Sequence, residues 1–137
     1  MRKALLSLAA ALIALGVSAL PLSAASAASG PTLGCNVQPS ANDNFSSVCT
    51  TSDAANTYGI TFLVQGGTGT FSYAWTVPSG VTVTDGCTSA SNVCVIDVRA
   101  VEEDQRPTVS VIATQNGSSV TLSARAMINA VCGPVFC

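Results

Sequence analysis

The feature that most constrains this chain is a period of two. In Phe71-Ser72-Tyr73-Ala74-Trp75-Thr76-Val77, large apolar residues alternate with small or polar ones. Successive side chains of a β-strand point to opposite faces, so the run reads as a strand with one covered and one wet face. Ile60, Phe62 and Val64 repeat the pattern, as do Cys94, Ile96 and Val98 with Asp97 and Arg99 on the other side. Val109, Val111 and Ala113 follow, then Val120, Leu122, Ala124, Ala126 and Ile128. Val81 and Val83 make a shorter strand that stops at Asp85-Gly86. No stretch after residue 30 shows helical spacing. The runs are separated by turn chemistry: Gly66-Gly67-Thr68-Gly69, Pro78-Ser79-Gly80 and Asn116-Gly117. The last is the strongest short hairpin signal, because a type I′ turn needs two residues at positive φ. Val101 to Pro107 is a polar connection, and the Asn-, Ser- and Asp-rich residues 36–57 hold one edge strand plus loop. About six to seven short antiparallel strands at this spacing imply an all-β sandwich.

The N-terminus has a different character. Met1-Arg2-Lys3 precedes an apolar run from Ala4 to Leu20, Pro21 breaks it, and small residues continue to Ala28. That is the layout of a secretory signal peptide. Ala25-Ser26-Ala27 places the cut after Ala27, with Ala25 and Ala28 as alternatives, and the run is short and Ala-rich for a retained span. The expected organisation is a signal peptide over 1–27, an N-terminal loop and edge strand over 28–57, and a sandwich core with a disulfide tail over 58–137. Beyond residue 27 the chain has three Arg, no Lys and seven acids, a net charge of −4. Nucleic acid and anionic lipid are poor partners for it, since both need clustered basic residues. The expected location is secreted, either extracellular or in the periplasm or cell envelope, with no membrane span once the leader is removed.

All six cysteines, Cys35, Cys49, Cys87, Cys94, Cys132 and Cys137, lie beyond the leader. An even count in an exported domain argues for disulfides. Pairing sequence neighbours gives 35–49, 87–94 and 132–137; the rival is a long link from Cys35 or Cys49 to Cys132. The chain has no His and no CxxC pair, so zinc is not expected. Thr32-Leu33-Gly34-Cys35 has the Gly-Cys of a lipoprotein signal without its Leu, and lipidation of Cys35 would leave an odd cysteine.

The Trp75-bearing strand, the sequence W-T-V-P-S-G-V-T-V-T-D-G, a loop, V-I-D-V and a later hairpin resemble bacterial PKD-like and related immunoglobulin-like domains of exported proteins, over roughly residues 58–127. The resemblance implies a single immunoglobulin-like sandwich that packs Trp75 between its sheets and works as a spacer or as an adhesion or binding module. The Asp-Gly-Asp signature of typical PKD domains is absent here, and the Cys87–Cys94 insertion is not a family hallmark.

Candidate sites follow from residue types. Phe71, Tyr73 and Trp75 share one face; they form either a structural core, the reading preferred here, or an aromatic platform for a sugar or peptide. Thr88, Ser89, Ala90, Ser91, Asn92 and Val93, closed by Cys87 and Cys94, are a possible binding loop, because a stapled loop loses less entropy on binding. Glu102, Glu103 and Asp104 lack the spacing of a calcium loop and read as a solvated turn. Without His, a Ser–His–Asp or Cys–His constellation is impossible. Asp85 and Asp97 remain as a carboxylate pair only by elimination. Asn44-Phe45-Ser46 and Asn116-Gly117-Ser118 match the glycosylation sequon, the latter being the hairpin turn. No catalytic residue, cofactor or metal is expected. The expected function is a non-catalytic immunoglobulin-like module for binding, adhesion or spacing, with a protein or glycan at the cell surface as partner. The alternative is a small disulfide-stapled inhibitor of an extracellular hydrolase acting through residues 88–93.

Overall fold

The computed structural model describes residues 30–39 and 44–137; the signal peptide expected over 1–27 lies outside them. The described chain is all-β, with strands β1 (Thr32–Gln38), β2 (Val48–Thr50), β3 (Thr57–Gln65), β4 (Ser72–Thr76), β5 (Thr82–Gly86), β6 (Val93–Arg99), β7 (Thr108–Gln115), β8 (Ser118–Met127), β9 (Val131–Cys132) and β10 (Val135–Phe136). Two four-stranded sheets have the orders β1-β3-β6-β5 and β2-β8-β7-β4, and β9 and β10 form a small hairpin. Every pair is antiparallel except β2–β8, which runs parallel.

The alternation read from the sequence sets which face is buried. Tyr58, Ile60 and Phe62 of β3, Ile96 of β6, and Val109 and Val111 of β7 are fully covered between the sheets. Asp97 and Thr61 occupy the outward positions between them. Leu33, Cys35 and Val37 of β1 and Cys49 of β2 join the same core, so the segment read as a loop and one edge strand supplies an edge strand to each sheet. Tyr58 is the largest fully buried side chain, and its hydroxyl donates to Asp53 O and accepts from the Ala55 N–H, both at 3.0 Å. A buried phenol needs such partners, because an unpaired hydroxyl in an apolar core is costly.

The three disulfides join the sequence neighbours: Cys35–Cys49, Cys87–Cys94 and Cys132–Cys137. The first crosses from β1 in one sheet to β2 in the other. Closing a 14-residue separation contributes about 3 kcal/mol by constraining the unfolded chain. Cys35 is fully buried as well as bonded to Cys49, which leaves no thiol there for a lipid.

The sheet edges are managed one by one. On β1, Cys35 and Ser46 exchange main-chain bonds of 2.7 and 3.3 Å. On β5 a bulge between Val83 and Asp85 breaks the regular row of donors. Covers and bulges of this kind stop a sheet from pairing with foreign strands. The outer edge of β4 is closed by the loop described next.

Candidate functional site

The loop from Thr88 to Val93 joins β5 to β6, which lie side by side in the first sheet. It begins with two left-handed residues, Gly86 at φ 66° and Cys87 at φ 55°. A Cβ on Gly86 would sit 2.1 Å from Val93 O, so only glycine fits where the two ends of the loop converge. The Asp85 carboxylate accepts from the Gly86 N–H at 2.8 Å, and the Cys87 N–H donates to Val93 O at 2.9 Å. Inside the loop the Ser91 N–H donates to Thr88 O at 3.2 Å, and the Ser91 hydroxyl donates to Val93 O at 2.8 Å.

The loop is also fastened on both sides. Toward the first sheet, Asn92 O accepts from the Val64 N–H at 2.9 Å, and the Asn92 side-chain amide donates to Val64 O at 3.3 Å. Toward the second sheet, Ser89 O accepts from the Tyr73 N–H at 3.0 Å. The Trp75 indole donates from Nε1 to Ser91 O, also at 3.0 Å. Because β4 is the outermost strand of its sheet, the Tyr73 bond covers the edge that β7 leaves open. The side chains of Thr88, Ser89, Ala90 and Asn92 are exposed, while Ser91 and Val93 are half-buried.

Phe71, Tyr73 and Trp75 form a column along β4, with ring centroids 6.4 Å apart for the first pair and 6.3 Å for the second. Tyr73 and Trp75 are half-buried and pack against the core; Phe71 sits beyond it at the end of the sandwich. There it lines a depression of about 280 Å³, between the Gly-rich β3–β4 turn and the β7–β8 hairpin, together with Pro31, Thr68, Gln115, Ser118 and Val120. The Gln115 side-chain amide donates from Nε2 to Thr68 O at 2.6 Å and ties the two loops together. Alternation in the sequence puts Val120 on the same face as the core residues of β8, and its exposure at the depression shows only in the structure.

Glu102, Glu103 and Asp104 are exposed on the connection from β6 to β7. Asp104 accepts from the Ala130 N–H at 3.0 Å and anchors the C-terminal segment. Asp85 and Asp97 lie on the outward face of the first sheet, opposite Val95 and Thr82. Among the described residues, no group of three or more His, Cys, Asp or Glu is placed to hold a metal, and no helix is long and apolar enough to cross a membrane. Asn116 and Gly117 have φ of 50° and 80°, the turn expected from the sequence.

No protein family, curated protein or solved structure matches the chain.

Proposed function

We propose that this chain is an exported, non-catalytic immunoglobulin-like module of the PKD-like kind, which binds or spaces at the cell surface. The observation that carries this is the strand order. In the immunoglobulin constant-type plan, strands A, B, E and D share one sheet and C, F and G the other. Assigning β1, β3, β6 and β5 to the first set and β4, β7 and β8 to the second reproduces that order. On this assignment β2 continues the first strand onto the opposite sheet, and Trp75 falls on strand C, where such domains keep a core tryptophan. The disulfide between the sheets here runs from β1 to β2 instead of from B to F. The partner is a protein or a glycan of the cell surface.

The inhibitor reading has the staple and the exposed side chains of Thr88, Ser89 and Ala90 in its favour. A loop that enters a hydrolase cleft adds to it as an extended strand through free main-chain groups. In this loop the carbonyls of Thr88, Ser89, Ser91, Asn92 and Val93 are already engaged. That favours a structural clamp over a presented loop.

The test is retention. The native protein is recovered from medium and cell fractions, and its mass is taken before and after reduction and alkylation. A species starting at Ala28, alkylated six times only after reduction, is expected. Labelled protein should then bind envelope fractions saturably. Absence of any retention, together with inhibition of a secreted hydrolase that Ser89 replacement abolishes, would favour the inhibitor.

A further inference from the structure

We propose that the depression at the end of the sandwich is a binding site for one neutral sugar residue, free or within a glycan; the proposal rests on the binding-module reading and names its ligand. Three observations converge. The first is an uncovered core position. Val120 pairs with Ala113, which is buried, and so faces inward by register, yet Val120 is 38% exposed. The inner face of the second sheet therefore runs past the cover of the first, and the gap is the depression.

The second is that its wall is kept thin. Gly67 lines it at φ 74°, and a Cβ there would lie 3.0 Å from the tip of the Phe71 ring. A side chain at this position would push on the ring that forms the floor.

The third is its chemistry. The lining combines the aromatic Phe71 with Pro31 and Val120, the hydroxyl-bearing Thr68 and Ser118, and Gln115, whose Nε2 holds Thr68 O while its Oε1 has no partner among the described residues. None of the described lining residues carries a charged side chain, so among them an acidic or basic ligand would lose water without gaining a countercharge. An aromatic ring beside uncharged donors and acceptors suits a molecule with one apolar face and a rim of hydroxyls. The volume of about 280 Å³ is at the small end of ligand pockets, room for a single ring.

The experiment is an amide-resolved NMR titration of the disulfide-intact protein with neutral disaccharides built on glucose, galactose, mannose and N-acetylglucosamine. Glucuronic acid and hexanol serve as comparison probes. At least one neutral disaccharide should move the signals of Thr68, Phe71, Gln115 and Val120 and leave those of Thr88 to Asn92 in place. Phe71→Ala and Val120→Asp, both at accessible positions, should each weaken that binding about tenfold, the scale of one lost ring contact. A tryptophan emission spectrum matching the parent's shows that each variant is folded. The proposal fails if no neutral sugar moves these signals, or if hexanol or glucuronic acid moves them more. If the parent is retained on envelope fractions but the signals do not move, the module reading stands and the pocket assignment falls. If neither occurs, both fall.

Discussion

The Trp75 indole on β4 reaches across the open side of the sandwich and donates to Ser91 O at 3.0 Å, inside the loop closed by Cys87 and Cys94. The bond joins the second sheet to the tip of a hairpin that belongs to the first. Tryptophan suits the position because its large apolar body packs on the core while its single donor needs a partner when covered. Trp75→Phe keeps most of the packing and strands one carbonyl, which should cost about 1–3 kcal/mol. Trp75→Ala loses the packing too and should cost about 3–5 kcal/mol. Urea unfolding followed by far-UV circular dichroism checks both; a Trp75→Ala protein that unfolds with the parent would show that the ring is not a core element.

The same clamp predicts a local effect of loop chemistry. In a Cys87→Ser/Cys94→Ser variant the Ser89 carbonyl is held by the loop's hydrogen bonds alone, so the Tyr73 amide should exchange with solvent markedly faster than in the parent. Amides of Ile60 and Val111, deep in the two sheets, should keep their protection. Hydrogen exchange read residue by residue separates the outcomes, and equal protection at Tyr73 would mean that β4 holds the loop without help from the disulfide.

Disulfide removal should not be equivalent at the three sites. Cys35 and Cys49 are buried and bridge the sheets, whereas Cys132 and Cys137 are exposed and close a terminal hairpin. Cys35→Ala/Cys49→Ala should lose about 3 kcal/mol of chain constraint and some packing besides. Cys132→Ala/Cys137→Ala should lose about 2 kcal/mol or less. Calorimetric melting of the two double variants gives the ranking, and the reverse order would place the main constraint in the tail.

Two buried hydroxyls should respond in opposite directions. Tyr58→Phe leaves the Ala55 N–H and Asp53 O without their partner, and a loss of about 1–3 kcal/mol is expected. Thr51 is also buried, and its hydroxyl has no partner among the described residues. Thr51→Val removes that cost at similar volume and should be neutral or stabilising by about 1 kcal/mol. Denaturant midpoints of the two variants on either side of the parent would agree with this; a destabilised Thr51→Val would show that the hydroxyl has a partner after all.

Much of the fold was written locally. Strand faces follow from alternation, so Ile60, Phe62, Ile96, Val109 and Ala124 could be assigned to the core from the chain alone. The Asn116-Gly117 turn and the Cys87–Cys94 and Cys132–Cys137 pairs are equally local, since each depends on residues a few positions apart, whereas Cys35–Cys49 spans 14 residues and two sheets. The weight of Tyr58 was not legible, because its burial depends on Asp53 and Ala55 folding back over its hydroxyl. Nor was the thinness of the wall at Gly67, which shows only once Phe71 is brought beside it.

Period and spacing therefore determined the all-β class, the buried faces and the turns, because those properties belong to single strands and short loops. The tertiary structure alone decided which strands became neighbours, that β2 runs parallel to β8, and that Ser91 O meets the indole of Trp75. Those outcomes depend on side chains far apart in the chain filling one shared interior, and no local pattern encodes that fit.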